Sequence, residues 1–280
     1  MKDTAPTIAA HNPGRATVFT RAFSAELAKT ASLRGWWIGA ALVLALTTYF
    51  AHMGATLLVE LVETLEDGAF TDLDGARVPL EQGVVETVLS SPYQSMALFF
   101  PLVVAVVVGQ EYRHGQIQAT VMAVPARGVL AAAKITAVCV LTLVVCTAAY
   151  LLSSTLLWFV LPEPAAGLVL GTEALLTLPR IMLYAVCMAL VSGALTTVFR
   201  STLIALFAVV GILVLTVSGL LSAFVPPVHD VLPMIAAQSF LFGHAVEGVP
   251  SAGAGLLTLL AWAVVAAVLW TATLIRRDAV

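Results

Sequence analysis

Charged side chains make up only 10% of this 280-residue chain, against 60% hydrophobic residues and a mean hydropathy of +1.01. A soluble globular domain carries roughly 25% charged residues, so that class is excluded at the first step. Cysteine is scarce: Cys139, Cys146 and Cys187 all fall inside apolar stretches, with neither metal-ligand spacing nor the density of a disulfide scaffold. There is no glycine-rich phosphate loop ending in lysine and serine or threonine, no paired acidic centre and no nucleophile triad. These absences argue against ATP hydrolysis or other catalysis by this chain, and no cofactor or metal is expected in it. Residues 1–14 lack the basic and apolar regions of a cleaved signal peptide. The runs of about ten alternating residues that mark a membrane β-barrel are also missing.

Long apolar runs are what the chain does have, around residues 36–58, 93–109, 129–161, 181–199, 203–225 and 253–275. Each is near or above the roughly 20 residues that cross about 30 Å of hydrocarbon as helix. The pattern predicts an all-α polytopic membrane protein with six transmembrane helices in residues 35–275. Before them, residues 15–33 place Phe19, Phe23 and Leu27 at four-residue spacing and leave Arg21, Glu26, Lys29 and Arg34 for water or head groups. That spacing predicts an N-terminal interfacial helix, so residues 1–34 read as a tail plus that helix. A lead-in helix packed on its own bundle fits the same pattern. Trp36 and Trp37 open the first span at the depth where amphipathic rings anchor.

Between the spans, residues 59–91 form an acidic loop with eight carboxylates against the single basic Arg77, read as one or two short helices around a turn at residues 72–75. The carboxylate spacing fits no regular calcium loop. Ser91-Pro92 reads as the start of the second span, serine as cap and proline at the first helical position. Pro101 predicts a kink within that span. The third run is long enough to tilt or protrude, and it ends at Pro162 and Pro164. The fourth span is predicted from Arg180, just after Pro179, to near Arg200. A turn of Ser201 and Thr202 then makes the fourth and fifth spans antiparallel neighbours. Residues 226–252 are too interrupted for a span and read as an external or re-entrant segment. A metal site of His229, Asp230 and His244 lacks a tight spacing. Residues 276–280 form a short tail.

Charge asymmetry sets the expected topology. With both termini cytoplasmic, eleven basic residues lie inside (Lys2, Arg15, Arg21, Lys29, Arg34, Arg113, Arg127, Lys134, Arg200, Arg276 and Arg277) and only Arg77 and Arg180 outside. The same arrangement sends twelve of sixteen carboxylates outward.

Residues 109–127, GQEYRHGQIQATVMAVPAR, form a polar island that this topology places in the cytoplasm. The six spans, the lead-in helix and the second-to-third connection with Glu111, Arg113, Gly115, Pro125, Arg127 and Lys134 resemble the permease subunit of a type 2 ATP-binding cassette transporter. The likeness is to the small bacterial exporters whose nucleotide-binding protein is a separate chain. In that family the connection resembles Glu-x-x-x-Gly, a short helix, then a Pro-x-(Ser/Ala)-Arg-like ending before a lysine. Gln116 departs from it, standing where threonine is usual.

The resemblance implies a coupling loop over residues 110–127. Gln110, Glu111, Tyr112, Arg113, His114, Gly115, Gln116, Gln118, Pro125 and Arg127 would meet the partner, with Glu111, Arg113, His114, Gln116 and Gln118 offered outward. It further implies a bacterial cytoplasmic-membrane exporter assembled with a separate nucleotide-binding ATPase, which would carry ATP and Mg, and with a second copy of this permease or a related one. Membrane lipids would surround it, and nucleic acid is not an expected partner. Apolar spans with few internal charges suit an amphipathic drug, a lipid-like compound or a hydrophobic peptide. The competing classes are a secondary transporter, which would need intramembrane charge relays, an intramembrane enzyme, and a non-transport assembly or immunity protein.

Overall fold

The computed structural model describes residues 14–73, 75–113, 116–124, 126–243 and 251–276. Among the described residues the fold is all-α apart from one short hairpin. Helix α1 (Arg15–Ser32) meets α2 (Arg34–Val62) at Leu33, whose extended backbone (φ −78°, ψ 119°) turns the chain between them.

The acidic loop is not built from short helices. After α2 come strands β1 (Ala69–Thr71) and β2 (Arg77–Pro79), paired antiparallel with Phe70 opposite Val78. Gly68 and Gly75 take positive φ (74° and 83°), which a side chain would resist, and so permit the tight reversals. Asp72 Oδ1 accepts from the Ala76 amide at 2.8 Å, and Arg77 Nη2 donates to the Glu66 carbonyl at 3.0 Å, closing the turn.

Helices α3 (Leu80–Leu98) and α4 (Phe100–Arg113) form one bent rod. The expected start at Ser91-Pro92 is wrong, because Pro92 lies inside α3. Proline there leaves the Val88 carbonyl without its helical amide. Ser153 Oγ, from a neighbouring helix, donates to that carbonyl at 3.4 Å and is itself 2.6 Å from Ser91 Oγ. The expected kink is present: the rod breaks at Phe99 (φ −111°, ψ −39°), two residues before Pro101.

A short helix, α5 (Gln116–Ala123), connects the rod to α6 (Arg127–Val160). At 34 residues α6 is about 51 Å long, well beyond a perpendicular span. It ends at Leu161, as the following prolines predict, and a single turn, α7 (Ala165–Leu168), follows.

Helix α8 (Thr172–Phe199) starts eight residues before the expected Arg180 and carries Pro179 within it. Polar contacts hold this proline-bearing first segment: the Ala174 carbonyl accepts from Tyr150 Oη of α6 and from Thr177 Oγ1. Arg200 in left-handed backbone (φ 51°) closes α8, and Ser201 Oγ caps α9 (Thr202–Val217) by accepting from Ile204 N. The two helices pack on each other, as the short turn predicts.

Residues 203–225 are not one helix. Helix α9 has 16 residues, about 24 Å, and ends before Gly219 (φ 65°). Three short helices follow: α10 (Leu220–Phe224), α11 (Pro226–Asp230) and α12 (Pro233–Phe242). The last is anchored where Tyr93 of α3 stacks near Tyr184 and Phe242 and donates from its hydroxyl to the Met234 carbonyl at 3.2 Å. Helix α13 (Ala252–Arg276) completes the bundle, its Trp262 Nε1 donating to the Val231 carbonyl at 2.7 Å.

Among the described residues five units are long and apolar enough to cross a membrane: α2, the α3–α4 rod, α6, α8 and α13. The rod and α8 are the most buried of them and form the centre. Small residues allow the closest approaches. Gly193 of α8 lies directly under the ring of Trp270 of α13, with no room for a Cβ, and that indole is 1% exposed.

Candidate functional site

Helix α1 turns a stripe of Ala22, Glu26 and Thr30, spaced by four, into the protein. Phe19, Phe23 and Leu27 lie half-buried on an adjoining stripe, and the rings of Phe19 and Phe23 stack at 6.1 Å. Glu26 therefore does not face water, as the apolar spacing alone suggested. It meets Lys134 in the second turn of α6, whose Nζ lies 2.9 Å and 3.0 Å from its two carboxylate oxygens.

Lys134 also donates to Glu111 Oε2 at 2.6 Å, and Lys29 Nζ lies 2.7 Å from Glu111 Oε1 and 2.6 Å from Glu26 Oε2. Each carboxylate thus touches both ammonium groups, and each ammonium touches both carboxylates. The result is a closed ring of two negative and two positive charges joining α1, the last turn of α4 and the start of α6. The Lys134 and Glu26 side chains are 6% and 8% exposed, and Glu111 is 12% exposed. Charges so far removed from water persist only when paired and hydrogen-bonded, a condition the ring meets for all four groups.

Glu111 was expected on the outer face, offered to another protein. Helix phase overrules that: it follows Val107 by four and Val108 by three, so it shares their buried face. Gln110 is half-buried with its amide against Gly35 of α2. Tyr112 is half-buried too, its hydroxyl in reach of Thr197 near Arg200 at the end of α8. Arg113, Gln116 and Gln118 are exposed. His114, Gly115 and Pro125 lie outside the described residues. Arg127 reaches the last helix, its Nη1 donating to the Ile275 carbonyl at 3.1 Å, a cation placed at a helix C-terminus.

No family model matches this chain, and no curated protein does. Geometry and chemistry therefore carry the functional reading.

The ring is a joint and not a ligand site. The cavity beside it, lined by Glu26, Lys29, Tyr112, Lys134 and Trp270 among others, has a volume of about 20 Å³, room for a single water. Among the described residues no three of His, Cys, Asp and Glu come together as a metal site, and His244 of the suggested trio lies outside them. The ring joins the last turn of α4 and the first turns of α6, on either side of the α5 connector, to α1.

Glu26 and Lys29 were missed as site residues because their partners are remote in sequence. The available signal was the small-residue stripe of Ala22 and Thr30 flanking Glu26 at four-residue spacing, which marks a face meant for close packing.

Proposed function

We propose that this chain is the membrane-spanning permease of an ATP-driven exporter, working with a separate nucleotide-binding ATPase. The observation that carries this reading is the exposed face of α5, with Gln116, Gln118 and neighbouring Arg113, set on two helix roots locked by the charge ring. A partner seated on α5 would push on α1, α4 and α6 together. Closure of a nucleotide-binding pair would then shift the transmembrane helices between inward-accessible and outward-releasing states. ATP and Mg belong to the partner, and this chain is non-catalytic. Two copies of the permease, or this one and a related one, would complete the assembly. The cargo class is an amphipathic drug, lipid-like compound or hydrophobic peptide.

In this reading the chain crosses the bacterial cytoplasmic membrane six times, with α9 as a short fifth crossing and α1 lying in the inner interface. Both termini and the charge ring face the cytoplasm, and the hairpin and residues 226–252 face outward. Basic residues concentrated at the ring end, against Arg77 and Arg180 toward the other, support that orientation. The buried charges of the ring cluster at helix ends, whereas an ion-coupled carrier needs its relay near the middle of the membrane.

The test is reconstitution with candidate nucleotide-binding subunits in vesicles. The expected result is stable association, stimulated ATPase activity and ATP-dependent movement of an amphipathic probe. A cysteine at Gln118 that reacts only with reagents added outside cells, or transport that proceeds without any ATPase, would sink the reading.

A further inference from the structure

At the end of the bundle remote from the charge ring, α2, the hairpin, α3 and α12 enclose a groove of about 820 Å³. That is within the range of about 300–1,000 Å³ typical of small-molecule sites. Its walls are Phe50, Met53, Leu57, Phe70 and Phe242, apolar and partly aromatic. Its charged lining is one-sided. Glu60, Asp72 and Glu86 border it together with the Gln94 amide, Glu86 also accepting from Gln82 Nε2 at 2.9 Å, and among the described residues no lysine, arginine or histidine does. The basic residue of the hairpin, Arg77, is turned instead toward Asp67, 3.6 Å away, and the Glu66 carbonyl.

The hydroxyl groups sharpen this asymmetry. Thr56, Thr87 and Ser90 each donate to a carbonyl of their own helix, those of Met53, Gly83 and Thr87. A hydroxyl has one hydrogen, so what these three present to the groove is acceptor lone pairs. Carboxylates are likewise acceptors, and aromatic faces attract cations. Among the described residues the groove is thus apolar in its walls and negative in its charged lining, with acceptors prevailing over the one side-chain amide, that of Gln94.

We infer that this groove binds an organic cation with an apolar body, its positive, donor-bearing group held toward Glu60 and Glu86 and its rings against Phe50, Phe70 and Phe242. The inference rests on the groove and not on the exporter reading, and binding needs no ATPase partner. Loss of ATP-driven transport with cation binding intact counts against the exporter alone. Loss of binding counts against the groove alone.

The test uses the purified full chain in a detergent with an uncharged head group and fluorescence anisotropy of rhodamine 6G, a cationic dye. Nile red, neutral and apolar, is the comparison. Saturable rhodamine 6G binding is expected, weakening as salt is raised. The combined Glu60→Gln and Glu86→Gln protein should bind about tenfold more weakly, and Leu57→Trp, which fills the groove from its wall, should not bind. Nile red should show none of the charge dependence. If Glu86→Gln lowers the melting temperature, Glu60→Gln alone carries the comparison, because Glu60 is exposed. Absence of saturable binding, equal binding of both dyes, or affinity unchanged in the glutamine and tryptophan variants overturns the site.

Discussion

Lys134 Nζ lies 2.6 Å from Glu111 Oε2, and these two residues flank the connector that joins the α3–α4 rod to α6. The contact belongs to a ring in which every charge has two opposite neighbours, so the cost of removing one member depends on how deeply the remaining ones are buried. Lys134→Met leaves both carboxylates with Lys29 as the one cation of the ring. A loss of about 3 kcal/mol is expected, the range for breaking a buried pair. Lys29, whose side chain is 26% exposed, should cost about 1 kcal/mol when changed to Met, because water partly replaces it. Thermal unfolding of the purified protein in detergent checks the order. Equal losses would show that the two lysines do not differ in shielding from water as described.

A second expectation concerns Pro92. Ser153 has one hydroxyl hydrogen, and its bond to the Val88 carbonyl assigns the donor in the Ser91–Ser153 contact to Ser91. Ser153→Ala should destabilise by about 1–2 kcal/mol, since it leaves a buried carbonyl without a donor. In a Pro92→Ala background the helix supplies an amide to Val88, and the same change should cost less. A double-mutant cycle on melting curves reads the difference, and additive losses would show that Ser153 does not serve that carbonyl.

These two sites mark where sequence reasoning stops. The apolar runs located the five helical units of spanning length, though the run at residues 203–225 proved to be broken; Pro162 and Pro164 placed the end of α6, and Ser201 placed the turn between α8 and α9, because each of these is a local property. Pro92 and Pro179 misled for the same reason. Serine before Pro92 does favour a helix start, and a proline such as Pro179 ordinarily marks a helix boundary, but Ser153, Tyr150 and Thr177 supply polar contacts around these two prolines, and two of the three come from another helix. The hairpin was invisible because strands of three residues are too short to show alternation. Of the candidate site, the connector and its flanking Glu111 and Lys134 were legible. The ring was not, since Glu26 and Lys134 meet across 108 residues of sequence and local spacing says nothing about such a pair.

Gly193 and Trp270 supply a third prediction. A side chain at Gly193 would occupy the indole's own position, so Gly193→Val should displace Trp270 and destabilise by about 1–3 kcal/mol. Trp270→Leu makes room at the cost of buried area, and the double variant should lose less than the sum of the two single losses. Tryptophan fluorescence shifted toward the red in Gly193→Val would report the displaced indole. An unshifted spectrum with unchanged melting would count against the packing described.

The connector allows association and mechanical transmission to be separated. Arg113 and Gln118 are exposed, whereas Glu111 is largely withdrawn from water in the ring, its side chain 12% exposed. If α5 docks on a nucleotide-binding subunit, Arg113→Glu combined with Gln118→Glu should weaken association by roughly tenfold through charge and contact at that surface. The melting temperature of the permease itself should stay unchanged. Glu111→Gln should behave in the opposite way: the docking surface is intact, so the partner still binds, but the permease is less stable and binding no longer moves α1 and α6 together. Pull-down affinity, melting temperature and the ratio of transport to ATP hydrolysis distinguish the two variants. The ratio should fall in Glu111→Gln and hold in the surface variant once the partner is saturating. Should the surface variant lose stability while association persists, α5 would be part of the packed bundle rather than a docking element, and transmission would have to enter the membrane domain elsewhere.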